Sequence, residues 1–151
     1  MKVLLQRVSR AEVRVAGATV GSIPKGLVVF LGVEAEDEID DAAWNAAKTA
    51  ELRVFPDAEG RMNLSVQDVQ GSVLVVSQFT LASSTRRGRR PSFESAAAPE
   101  KAHDLYLRFV GALRERGLRV ATGTFRAMME VELVNDGPVT ILLDPRETAP
   151  R

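Results

Sequence analysis

Hydrophobic and polar positions alternate at the start of the chain. Val3, Leu5, Val8, Val13 and Val15 are interleaved with Gln6, Arg7, Glu12 and Arg14. A period of two predicts half-buried strand over residues 2–8 and 11–15. Gly17, Gly21, Pro24 and Gly26 supply turn positions. Leu27 to Val33 is apolar except for Gly32 and is long enough for a central strand. Val73 to Val76 is a second unbroken apolar run, rich in β-branched residues, and reads as a strand buried on both faces. Periodicity alone leaves a short buried helix open there.

Two stretches change to helical spacing. Six of the eight residues from Glu34 to Asp41 are acidic, and carboxylates favour the positive end of a helix dipole. A helix is predicted from there to Leu52, with Ile39, Ala43, Ala46, Ala47 and Ala50 as its apolar face. The second begins at Pro99 and runs to Gly117, with Ala102, Leu105, Tyr106, Phe109 and Leu113 on one side and His103 beside them. Short strand is predicted for residues 53–55, before Pro56 and the D-A-E-G turn at 57–60. Three more apolar segments follow, at 119–125, 128–134 and 139–143. The last two are separated by N-D-G-P at 135–138, a turn signature. The elements together give a mixed α/β (α+β) class.

Composition narrows the possibilities. At 151 residues, one domain over residues 1–144 is expected, with 145–151 as a flexible tail lacking core-forming residues. No apolar run approaches the ~18 residues of a membrane span. Met1 to Val8 reads as strand rather than as a signal peptide, so a cytoplasmic location is expected. The absence of cysteine removes disulfides, thiolate nucleophiles and cysteine-ligated zinc. Net charge is zero, so any affinity for nucleic acid must come from a local patch. The acidic run has neither a nearby histidine nor the glycine-containing ligand spacing of a hard-cation loop. No metal or cofactor is expected.

Candidate chemistry sits where the 73–76 run ends. Ser77, Gln78 and Thr80 are interleaved with Phe79 and Leu81, which presents polar groups at the rim of a fixed strand. The same hydroxyls could instead satisfy local backbone groups. Arg86, Arg87, Arg89 and Arg90 surround Gly88. Planar multidentate guanidinium groups at this density form a candidate phosphate-binding loop, or simply an exposed charged one. His103 is the only histidine, and no triad can be assembled around it. For Gly137–Pro138 a cis bond starts from a frequency of about 5–6%.

S-Q-F-T-L at 77–81 and N-D-G-P-V-T at 135–140 together resemble the paired signature of D-aminoacyl-tRNA deacylases. Q-R-V at 6–8, D-A-E-G-R-M-N at 57–63 and R-P-S-F at 90–93 add to the likeness, which extends to about Leu143. The resemblance implies a barrel-like core of β-sheet with two main helices packed outside. It implies hydrolysis of the ester joining a D-amino acid, or glycine, to the terminal ribose of tRNA, in a homodimer with active sites at the interface. Ser77, Gln78, Phe79 and Thr80 would form the catalytic segment, with backbone N–H groups near Phe79 and Thr80 stabilising the oxyanion. Thr80 as a covalent nucleophile is the alternative, although the motif holds no base for it. A cis Gly137–Pro138 bond, braced by Arg7 and flanked by Asn135, would reject L-aminoacyl groups, and Met129 would line the pocket. Arg86, Arg87, Arg89 and Arg90 would bind tRNA, although Arg86 and Arg89 are additions to the family pattern. Two other classes compete: a non-catalytic RNA-binding module using the arginine loop, and a Ser/Thr hydrolase of small esters.

Overall fold

The computed structural model describes residues 1–148. Its centre is a six-stranded sheet. The strands are β1 (Lys2–Val15), β2 (Ala18–Ile23), β3 (Gly26–Gly32), β6 (Ser72–Ser77), β7 (Arg119–Thr122) and β8 (Glu130–Leu143). They run in the order β2-β1-β3-β6-β7, and β8 pairs with β1. The end strands β2 and β7 lie against one another, so the sheet is nearly closed into a barrel. A small hairpin, β4 (Phe55–Pro56) with β5 (Met62–Leu64), lies outside it. The helices are α1 (Ile39–Glu51), α2 (Pro99–Glu115) and the short α3 (Pro145–Thr148).

The apolar run at 73–76 is a strand because it has two interiors to fill. Val73 and Val75 point into the larger core with Phe109, Leu105 and Ala46, on the helix side. Leu74 and Val76 point into a smaller core with Val8, Val13, Ile23 and Val28. The two crossover connections leave β3, β6 and β7 parallel, and burial on both faces is the usual condition of parallel strands.

Three expectations need correction. Residues 128–134 and 139–143 are not separate strands joined by a turn. They are one strand, β8, running antiparallel along nearly all of β1. The N-D-G-P segment is a bulge within it: Gln6 pairs with Thr140 and Val8 with Asn135, so residues 136–139 stand opposite Arg7 alone. The α1 face is also rotated. Ala42, Asn45, Ala46, Thr49 and Ala50 are buried, while Ile39 is exposed. Packing against α2 selects the face whose residues are small enough for close approach, and it carries Asn45 and Thr49 inward. Asn45 Nδ2 donates to Asp41 O at 3.0 Å.

The acidic run, finally, does two jobs. Glu38 precedes α1, and its N–H donates to the Asp41 carboxylate at 2.8 Å, in the manner of a capping box. Glu34 and Asp37 are buried instead. The Met1 amino group pairs with Asp37 and lies 3.6 Å from Glu34. Arg146, on α3, reaches Glu34 and also Asp144. Part of the stretch expected as a tail thus forms a helical turn tied to the head of the chain; residues 149–151 lie outside the described region.

Candidate active site

The Ser77–Thr80 segment leaves the carboxyl end of β6, the central strand of the parallel trio. The Gln78 N–H still donates to Leu31 O of β3 at 2.8 Å, and the chain then turns into a single 3₁₀ turn, Phe79–Ala82. Gly32 makes this possible: a β-carbon there would lie 2.7 Å from Leu81 Cβ and 2.9 Å from Gln78 O. A glycine interrupting an apolar strand often marks such a close backbone approach. Leu81 N–H is the first donor satisfied within the turn, by Gln78 O at 3.2 Å. The Phe79 and Thr80 N–H groups precede it and have no acceptor among the described residues. They are the free amides that head any helical turn. Gln78 Nε2 donates to Thr80 Oγ1, so these two side chains orient one another.

Ser77, Gln78 and Phe79 line one wall of an open cleft of about 280 Å³. The other wall is Arg126, Ala127, Met128, Met129 and Val131, from the β7–β8 connection and the start of β8. Met129, which the resemblance assigns to the substrate pocket, is on this wall. Arg126, the cleft's only charged side chain among the described residues, was missed, as was Met128, which is 91% exposed. Nothing in the local pattern F-R-A-M-M marks these residues as cleft-forming; the return of the β7–β8 connection beside the end of β6 does. A larger cleft of about 570 Å³ lies near the opposite, amino ends of β6 and β7, with Gln70, Gly71 and Arg119 among its lining residues. The smaller one lies beside the free Phe79 and Thr80 N–H groups, which favours it.

Arg7, Asn135, Gly137 and Pro138 gather at the β8 bulge. The Gly137–Pro138 bond is cis. Arg7 Nε donates to Asp136 O at 3.0 Å and Nη1 to Val54 O at 2.5 Å, tying the bulge to the hairpin side of the molecule. Asn135 Oδ1 accepts from Val139 N–H at 3.1 Å, and its Nδ2 donates to Thr140 Oγ1 at 3.0 Å. Gly137 has φ +134°, and a β-carbon would lie 3.0 Å from Arg7 Nη2 and 2.8 Å from Val139 Cγ2. This cluster is held from both sides and faces outward at Asp136–Pro138. No hydrogen bond among the described residues joins it to the Ser77–Thr80 cleft.

The arginine loop is closed at its base by reciprocal backbone bonds between Ser84 and Ser92, 2.8 and 2.9 Å. Arg86, Arg87, Arg89 and Arg90 are all exposed, and none has an acidic partner among the described residues. His103 is exposed and stacks on Phe125, ring centroids 4.6 Å apart, with no hydroxyl partner. Tyr106 is buried and donates to Val75 O at 3.3 Å; burial pushes its hydroxyl pKa upward. No group of three or more carboxylates or histidines among the described residues could hold a metal ion. No described helix is long and apolar enough to cross a membrane.

Residues 4–144 match the family model of D-Tyr-tRNA(Tyr) deacylase. A D-aminoacyl-tRNA deacylase of Anaeromyxobacter dehalogenans is 60% identical, across 97% of this chain and 98% of that protein. The Thermotoga petrophila protein of the same name is 59% identical, across 95% and 97%. Among solved structures, a c-Myc DNA unwinding element binding protein superposes with TM-score 0.90 at 40% identity, across 95% of this chain and 98% of that one. A probable eukaryotic D-amino acid tRNA deacylase shares the fold at TM-score 0.82 and 18% identity, across 94% and 97%. With its family motifs at a strand end and a strand bulge, on a fold shared with these proteins, the chain belongs to the D-Tyr-tRNA(Tyr) deacylase family and is an ester hydrolase.

Proposed function

We propose that the chain hydrolyses the ester of D-aminoacyl-tRNA, and of glycyl-tRNA, in the Ser77–Met129 cleft. The observation that carries this reading is the pair of free N–H groups, Phe79 and Thr80, at the head of a turn beside that cleft. An aminoacyl ester is already activated, so fixing it and stabilising the oxyanion supply much of the catalysis. One such donor is typically worth about 100–1,000-fold in rate. The neighbouring ribose hydroxyl of the RNA assists water attack. Gln78 orients the substrate and Ser77 supports the segment. Thr80 lacks a base in its motif, and its hydroxyl already accepts from Gln78.

Stereochemical choice belongs to the bulge. A D-residue places its side chain where an L-residue has hydrogen, so rigid carbonyls at Gly137 and Pro138 exclude the L side chain and leave glycine unopposed. The bulge serves the cleft of a second copy, as in the homodimer that the family resemblance implies. The outer edge of β8, unpaired along its length, and the exposed Phe79, Met128, Val134 and Leu142 suit a homodimer interface. The arginine loop supplies tRNA affinity. The test compares amino-acid release from D- and L-aminoacyl-tRNA with release from free aminoacyl esters. Rapid turnover confined to D-aminoacyl- and glycyl-tRNA is expected. Equal turnover of small free esters would point to a general esterase, and tight RNA binding without turnover to a binding module.

A further inference from the structure

Phe79 lines the cleft and is 59% exposed. Its ring centroid is 5.1 Å from that of Phe93, tilted 58°, and Phe93 is also exposed. Phe93 lies in sequence between Ser92 and Glu94, which line a second open cleft of about 440 Å³ with Ser84, Ser95, Arg86 and Arg87. The two clefts are therefore neighbours, separated by a ridge of two exposed aromatic rings. Neither ring is needed by either core, and Phe93 of the R-P-S-F motif at 90–93 has no part in the chemistry described above.

We infer that this second cleft, with Phe93 on the ridge beside it as the stacking platform, holds the nucleotide immediately 5′ of the terminal adenosine of the substrate RNA. The inference rests on the deacylase reading, which places the terminal ribose in the first cleft. The single-stranded 3′ end then crosses the Phe79–Phe93 ridge. Single-stranded nucleic acid is held by this combination, exposed aromatic faces for the bases and cationic groups for the phosphates. Arg86 and Arg87 offer unpaired guanidinium donors to a phosphate. The hydroxyls of Ser84 and Ser92 can serve a ribose 2′-hydroxyl, while that of Ser95 already donates to Ala82 O at 2.5 Å. Glu94 is the cleft's only acid among the described residues. An acceptor-only carboxylate suits the exocyclic amine of a base, such as cytosine N4, rather than a phosphate.

The test measures kcat/KM on two truncated substrates, a D-aminoacyl-adenosine and a D-aminoacyl-trinucleotide ending in the same adenosine. In the wild-type protein the trinucleotide is the better substrate. The trinucleotide-to-nucleoside ratio is expected to fall on the order of 10- to 100-fold in Phe93→Ala, the usual scale of losing one base stack. Phe93→Tyr restores the ratio and Phe93→Leu does not, which separates stacking from mere packing against Phe79. Glu94→Gln narrows the preference for cytosine over uracil at the penultimate position. A ratio that stays at its wild-type value in Phe93→Ala, or a Leu variant as good as Tyr, overturns the inference. Failure of the wild-type protein to turn over both truncated substrates and D-aminoacyl-tRNA would instead strike at the deacylase reading itself.

Discussion

Gly137 is the residue on which the bulge depends most directly. Its φ of +134° is one that side chains rarely adopt, and a β-carbon would press on Arg7 Nη2 and Val139. Gly137→Ala should destabilise the fold by about 1–3 kcal/mol, the usual scale of backbone strain at such positions. Activity on D-aminoacyl-tRNA should fall further than tRNA binding does; thermal denaturation, binding and turnover on the same variant check this. Thr80→Val tests the chemistry of the cleft. It removes the acceptor of the Gln78 hydrogen bond but no backbone donor, so substantial turnover should remain. A substrate lacking the free ribose hydroxyl next to the ester should be nearly inert. Complete loss in a folded Thr80→Val protein, with an acyl-enzyme trapped on the wild type, would favour covalent catalysis. In α1, the Thr49 hydroxyl is buried with no partner among the described residues. Thr49→Val should stabilise by about 1 kcal/mol, because an unsatisfied buried hydroxyl is replaced by a methyl of the same shape.

The arginine loop acts as an element. Its base is pinned by the Ser84–Ser92 bridge while its four guanidinium groups stay in solvent without acidic partners. Arg86→Ala with Arg89→Ala should weaken tRNA binding and flatten its salt dependence, since fewer counterions are released. The ratio of D to L rates should not change. Titrating binding against salt, alongside the two rates, tests both statements; a shifted ratio with unchanged affinity would move the loop into the active site. The β4–β5 hairpin matters for a different reason. Through Val54 O, the residue just before β4, it gives Arg7 an anchor independent of the bulge, so the bulge is fixed by two elements rather than by β1 alone.

For the whole molecule, pH dependence follows from carboxylates on several elements. Asp57 is held below the usual carboxylate range by the Arg61 backbone N–H, Asp68 by that of Ser65, and Glu132 by the Arg10 guanidinium. A lowered folded pKa means that the unfolded chain binds protons first as pH falls. These groups' contributions are thus present above about pH 4 and are lost as pH drops through the folded values. The melting temperature should fall on acidification below about pH 4 and change little from these groups above it. The exposure of Asp68 and Glu132 makes their contributions small. Assembly is the other property of this scale. An unpaired edge of β8 beside exposed apolar side chains should be covered by a second copy, and sedimentation equilibrium should return twice the 16.4 kDa chain mass.

What the amino-acid sequence determined by itself is local: the two helices, the strand runs, the Ser77–Thr80 rim and the separate Asn135–Pro138 motif. Each depends on residues a few positions apart, whose spacing is set by the backbone period of a helix or a strand. The α1 face was not legible. Ala46 and Ala50 belong to the expected and the observed face alike, but Ile39 and Ala43 fit the period as well as Ala42, and only packing against α2 chose between them. Nor was β8 as one strand. N-D-G-P carries the chemistry of a turn, and its role as a bulge was decided by the Gln6–Thr140 and Val8–Asn135 registers with β1, more than 120 residues away. Arg126 and Met128 entered the cleft because the β7–β8 connection returns beside the end of β6. Glu34 and Asp37 read as helix-start acids until the folded chain brought the Met1 amine and Arg146 beside them. The common reason is that long-range pairing is fixed by the closure of the sheet as a whole, and no local window of sequence contains both partners.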